Sequence, residues 1–146
     1  MITFVQIKNS DEHLKETFRL LGLRKRGISH LEMPSFEDHK IFVANNPYRY
    51  WCLIKHSKNF IGSLYLTNEN VIGLNIADEH YGLIQQIITK VLDEFHPLPP
   101  IKSVRNKAFL IHVSVDDDNL ASSILNLGGV EIQRTFLIPS NNIKKD

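Results

Sequence analysis

The chain has 146 residues, 42% hydrophobic and 23% charged, with 17 basic against 16 acidic side chains and a formal net charge of +1. That length suffices for one core without disulfide or metal staples, the composition excludes a disordered chain, and the charge balance gives no case for nucleic acid. Cys52 is alone, no apolar run approaches the ~20 residues that span a bilayer, and the first ten residues lack a secretory pattern, so a reducing cytoplasm without membrane insertion is expected.

Residues 2–7 alternate as a half-buried strand does, and Asn9-Ser10-Asp11-Glu12 supplies a cap and acidic first turn for a helix to about Leu21, with Leu14, Phe18 and Leu21 on its apolar face. Gly22 stops it before the basic run Arg24-Lys25-Arg26. Ser35 and Asp38 have capping-box spacing, opening a second helix that Asn45-Asn46-Pro47 ends. Runs 50–56, 60–67 and 71–77 follow, separated by Ser57-Lys58-Asn59 and Asn68-Glu69-Asn70, and predict an antiparallel meander. From Gly82 the period becomes helical, with Ile84, Ile87, Ile88, Val91, Leu92 and Phe95 on one face up to Pro97. A loop over 97–107 leads to a buried strand at 108–115. Asp118 or Asn119 then caps a short helix to Leu125, Gly128-Gly129 turns the chain, and a last strand is expected over 130–138. Nothing divides the chain, which reads as one domain over 1–139 with a polar tail over 140–146.

The segment Met33-Pro34-Ser35-Phe36-Glu37-Asp38-His39, with Asn46-Pro47-Tyr48-Arg49-Tyr50-Trp51, Ile61-Gly62-Ser63-Leu64-Tyr65-Leu66 and Asn70-Val71-Ile72-Gly73-Leu74-Asn75-Ile76, resembles the GNAT (GCN5-related N-acetyltransferase) superfamily, in particular a bacterial amino-sugar and surface-polysaccharide subgroup. The element order is similar over nearly the whole chain. The resemblance implies an α/β fold with a mixed, mostly antiparallel central sheet flanked by helices. It also implies transfer of an acetyl group from acetyl-CoA to a small amine, which the subgroup points toward a nucleotide-linked amino sugar, and it brings homodimerisation as an expectation.

In the family, the strand matched by Leu74, Asn75 and Ile76 offers main-chain groups to the pantetheine arm, and the next loop and helix N-terminus bind pyrophosphate through unpaired N–H groups. The matching residues here are Tyr81, Gly82, Leu83, Ile84, Gln85 and Gln86. The family's loop has Gln or Arg first, Gly fourth and Gly or Ala sixth, where this chain has Tyr81, Ile84 and Gln86. Asn119 and Ser122 match the helix that supports the cofactor side. Val71 stands where relatives often carry a carboxylate, and the family's tyrosine proton donor has no match.

Acyl transfer needs a neutral amine, a polarised thioester and a proton for the departing thiolate. Glu79 and His112 are candidate bases, beside Glu69, Asp78 and His80; the plainer alternatives are a solvated helix lead-in for Glu79 and an edge or core histidine for His112. Tyr48, Arg49 and Trp51 suit a sugar ring or nucleotide diphosphate, although strand alternation sends part of the 48–51 cluster to the other face. His30 and His39 fall where the family shapes its acceptor pocket, unless they are simply exposed. Lys102 to Lys107, with Arg105, forms a basic loop that could meet a phosphate or stay solvated. The seven histidines make no HxxxH pair, so no metal is expected. The altered loop leaves a second reading open, a catalytically inactive GNAT-like binding module.

Overall fold

The computed structural model describes residues 1–24 and 33–140. Strand β1 (Ile2–Gln6) is followed by helix α1 (Asp11–Gly22), whose N-cap Ser10 accepts the His13 N–H, and by α2 (Phe36–Asn45), whose N-cap Ser35 accepts the Asp38 N–H. Strands β2 (Tyr50–His56), β3 (Asn59–Leu66) and β4 (Val71–Ile76) form the expected meander. A 3-10 helix (Asp78–Leu83) leads into α3 (Ile84–Glu94), then β5 (Leu110–Ile111) and α4 (Asp118–Asn126). The sheet order is β1-β2-β3-β4-β5, antiparallel except for the parallel β4–β5 pair.

Register assigns the two faces. Cys52, Leu64 and Leu74 stand across from one another on one face, and Trp51, Tyr65 and Gly73 on the other. The first face receives α3, which buries Ile84, Ile87, Ile88 and Val91 in the main core with Ile54, Leu64, Leu66 and Leu120 of α4. Each fully buried aliphatic side chain there contributes ~1.5–3 kcal/mol. The second face receives α1, anchored where the Asn75 side chain donates to the Leu20 carbonyl at 3.2 Å. Cys52 is fully buried and its thiol is pushed up to about 12 by burial.

Five expectations are corrected. The strand expected over 108–115 pairs only at Leu110–Ile111, and residues 130–138 pair with no described strand. The helix expected from Gly82 starts at Ile84, because a 3-10 helix takes the preceding turn. The cap of α4 is Asp117, one residue before the expected Asp118, and its carboxylate accepts the Leu120 N–H three residues on, as an N-cap does. Leu92 is 50% exposed and does not join the apolar face.

Asn70 holds the end of the sheet together. It is fully buried, and its φ of 66° is a left-handed value that asparagine tolerates better than most residues. Its side-chain amide donates to the carbonyls of Leu98 and Asn106, both at 2.9 Å, and its Oδ1 accepts the Leu98 N–H at 2.8 Å. Its own carbonyl accepts the Leu110 N–H at 2.8 Å, so one residue ties the β3–β4 turn to the 97–107 loop and to the start of β5. Arg105 braces the same loop by donating to the Pro99 and Asn68 carbonyls, which turns it from the phosphate role open to it in sequence.

Between α1 and α2, His39 is 2% exposed and its Nε2 meets Thr17 Oγ1 at 2.7 Å. Burial lowers its pKa from 6.5, opposed in part by the Leu14 carbonyl. It is a structural histidine rather than an exposed one or part of an open acceptor pocket.

Two outcomes follow from these contacts. Asn70→Ala leaves three main-chain groups without partners, and urea unfolding should show a loss of about 3 kcal/mol or more. Because His39 is harder to protonate folded than unfolded, the unfolded chain takes the proton first as pH falls below 6.5. Urea midpoints should therefore drop as pH falls through that value, levelling off below the folded pKa, with a shallower drop in His39→Gln.

Candidate functional site

The parallel β4–β5 pairing joins Val71 to Leu110 and Ile72 to Ile111 and goes no further, although β4 continues to Ile76. Beyond that point the strands diverge. Backbone groups alternate between the two edges of a strand, and Thr67 N–H donates to the Val71 carbonyl on the β3 side. Ile72, Leu74 and Ile76 therefore turn their N–H and C=O groups toward β5, and Leu74 and Ile76 have no described strand opposite them.

The gap opens into a cleft of about 430 Å³. Its floor is Leu74, Asn75, Ile76 and Ala77; Asp78, Glu79, Tyr81 and Ile84 form one wall; Asp117 and Leu120 of α4 form another; Leu23 and Arg24 stand at its mouth. A hydrogen bond from the Tyr81 hydroxyl to Asp117 Oδ2, 2.8 Å, ties the wall before α3 to the cap of α4. Asp117 is 5% exposed and spends its other oxygen on the Leu120 N–H, so its carboxylate is structural as well as cleft-lining.

The wall before α3 departs from an open anion cradle. The His80 N–H donates to the Ala77 carbonyl and the Ile84 N–H to the Tyr81 carbonyl, so 3-10 bonding uses donors that would otherwise project from the N-terminus of α3. The first turn of the 3-10 helix itself carries Asp78 and Glu79. Two carboxylates there complement the helix dipole but oppose a second anion. Open space surrounds the position a Gly82 Cβ would take.

The residues singled out in the sequence are thus divided. Leu74, Asn75, Ile76, Tyr81 and Glu79 line the cleft, whereas Ile84 reaches it only as the edge of a side chain sunk in the core. Gln85 and Gln86 face a separate groove on the outer side of α3, with Thr89, Lys90 and Leu127. Asn119 and Ser122 are exposed on α4 and do not line the cleft. His112 is exposed just past the end of β5. His30 lies outside the described residues. Sequence reasoning missed Asp117, which lies one residue before the expected cap Asp118, and Arg24, legible only as part of a charged run.

On the opposite face of the sheet, Tyr48 stacks on Tyr65 with ring centroids 4.0 Å apart and planes at 7°, and Trp51 and Phe42 meet Tyr48 edge-on. The Tyr65 ring also covers Gly73, where a Cβ would meet ring carbon at 2.0 Å. Burial pushes the Tyr48 phenol up to about 12 and raises that of Tyr65, so both stay protonated at neutral pH. Tyr50 turns the other way, against Phe95 at 4.7 Å. Arg49 keeps its Nη1 buried with no hydrogen-bond partner among the described residues. No cluster of three metal-binding side chains occurs among the described residues, and no described helix is long and apolar enough to cross a membrane.

No family model matches the sequence, and no curated protein does. Among solved structures, the chain is similar to a spermidine N-acetyltransferase chimera from Vibrio cholerae and hSSAT, at 18% identity and a TM-score of 0.59 over 86% of this chain and 78% of that one. It is also similar to a possible acetyltransferase from Clostridium difficile 630, at 9% identity and a TM-score of 0.55 over 96% and 97% of the two chains. At such identities the likeness establishes the fold, a mixed, mostly antiparallel α/β sheet flanked by helices of the GNAT acetyltransferase type.

The Tyr81–Asp117 tie is measurable. Tyr81→Phe should cost about 1 kcal/mol in urea unfolding, and Asp117→Ala, which also removes the α4 cap, about 2 kcal/mol or more.

Proposed function

We propose that the chain is an acyl-CoA-dependent N-acyltransferase that moves an acetyl group from acetyl-CoA to a small amine. The observation that carries this reading is the divergence of β4 from β5, which leaves the main-chain groups of Leu74 and Ile76 facing the cleft. A pantetheine arm is an extended chain with two amides, so it can pair with a strand edge as another strand does. The same edge supplies N–H donors to polarise a thioester carbonyl. Asn75 is held by its bond to Leu20, which fixes the height of this edge against α1.

In the reaction the amine nitrogen attacks the thioester carbon, the new C–N bond forms and the C–S bond breaks. The amine loses a proton to a base and the departing thiolate gains one. Glu79, on the cleft wall, and His112, beyond the end of β5, remain the proposed bases, directly or through water. Tyr48 and Tyr65 are excluded as bases at neutral pH because burial keeps them protonated.

For the acceptor, the finer proposal is an amino sugar carried on a nucleotide. It is supported by the aromatic surface of Tyr48 and Trp51 and by the unpartnered nitrogen of Arg49, which favours an acceptor bearing an anionic group. The cytoplasm and a small-molecule acceptor belong to the same proposal. A second reading, a binding module of the same fold without catalysis, is favoured by one observation: the 3-10 helix and its carboxylates occupy the place where a diphosphate would need free donors.

Calorimetric titration with acetyl-CoA and with CoA separates the two readings. The enzyme reading expects saturable binding in the micromolar range and amine-dependent release of CoA across a panel of amino-sugar nucleotides. If the diphosphate lies beside the 3-10 helix, the Glu79→Gln variant should bind CoA more tightly, since a repulsive carboxylate on the cleft wall is gone. No heat at millimolar ligand, with wild type and variant alike, would leave the binding module as the better reading.

A further inference from the structure

Tyr65 stands directly across from Gly73 of β4, on the face of the sheet that receives α1. Because Gly73 has no side chain, the ring crosses onto β4: Tyr65 Cζ is the atom nearest the place a Gly73 Cβ would take, followed by Cε2 and Cε1. Cζ bears the hydroxyl. The oxygen is therefore carried one bond further from β3, beside the Gly73–Leu74 peptide and toward the edge from which β5 diverges. Tyr48 stacks on the other side of the ring, so the ring is held flat between a strand and a second ring.

Among the described residues nothing makes a hydrogen bond with this hydroxyl, and it is not sealed in as the orphaned Arg49 nitrogen is. A donor held in one position and left without a partner is available to a bound molecule. The cleft adjoins it. Leu74 and Asn75, the next two residues of β4, form the cleft floor, and the Leu74 N–H faces the gap. Arg24, at the cleft mouth, is close enough to oppose the upward push that burial gives the Tyr65 phenol. Two neutral donors, one main-chain and one side-chain, thus reach the same stretch of the gap from different directions.

We propose that Tyr65 is a catalytic residue whose hydroxyl, together with the Leu74 N–H, donates to the thioester carbonyl oxygen; the assignment rests on the acyl-CoA reading above. As the amine attacks, the π pair of the carbonyl moves onto that oxygen, and two fixed donors stabilise the charge there. The pair returns when the C–S bond breaks. Tyr65 keeps its proton throughout. A thiol ionises at about 8.5 and an ordinary phenol at about 10, so a phenol raised further by burial is too weak an acid to reprotonate the departing thiolate. The same weakness keeps it a neutral donor at neutral pH.

Tyr65→Phe preserves the ring, the stack and the Gly73 contact and removes only the oxygen. Since that oxygen has no partner in the folded chain, the urea midpoint should not move. CoA affinity by calorimetry and the KM values for acetyl-CoA and the best amine of the panel should stay within about twofold, while kcat falls about a hundredfold, by one factor at every pH tested. In isotope-edited infrared spectra of bound acetyl-CoA, taken without amine, the carbonyl band should lie at lower frequency in wild type than in Tyr65→Phe. Wild type that binds no CoA overturns the acyl-CoA reading and this assignment with it. Where CoA binds, an unchanged carbonyl band or an unchanged kcat in the variant overturns the assignment alone. So does a loss seen in KM and affinity in place of kcat, which is the mark of a packing role, or a loss confined to one limb of the pH profile, which is that of an acid or base.

Discussion

The geometry of the site depends on the hydrogen bonds of one buried asparagine. Asn70 fixes where β5 begins relative to β4, because its carbonyl receives Leu110 while its side chain holds both ends of the loop that delivers β5. With the start of β5 pinned and only two residues paired, the strands separate above that point. The opening is therefore a consequence of a local clamp and not of a missing element. A buried amide with every contact satisfied is rigid, and rigidity at the vertex sets the angle of the cleft.

The two faces of the sheet are specialised by the same alternation. One face is mainly aliphatic, with Leu64 and Ile54 under α3 and the Cys52 thiol buried among them. The other carries the stacked tyrosines, Trp51 and Asn75, with α1 and α2 over it. Gly73 is what allows the Tyr65 ring to lie flat, since any larger residue would push it off the sheet. The cleft lies where the two specialised surfaces meet the divergent edge, which gives it an aliphatic wall, a main-chain wall and an acidic lip.

Most of the fold was legible in the sequence because it is written in period. The meander, the capped starts of α1 and α2 at Ser10 and Ser35, and the apolar stripe of α3 depend on neighbours within a few residues. What escaped depends on distant partners. Asn70 read as a turn residue, and nothing local discloses that its amide reaches Leu98 and Asn106. The strand patterns at 108–115 and 130–138 are present in the sequence, but a strand is made by its pairing, and of these residues only Leu110–Ile111 pair with a described strand. Of the candidate site, the β4 residues were found through resemblance, whereas Gln85, Gln86, Asn119 and Ser122 were assigned by matched position and turn away from the cleft. Side-chain direction after a 3-10 helix is set by a shift in helical phase that residue matching does not track.

The burial of Cys52 has a practical side. The chain's only sulfhydryl sits under the sheet with its ionisation suppressed, so the folded protein presents almost no thiolate to a disulfide reagent. Any chromogenic thiol signal from a solution of this protein must then come either from molecules that have unfolded or from a small-molecule thiol set free in the mixture. The two differ in time course, and the folded chain itself supplies a nearly silent background for detecting a liberated thiol.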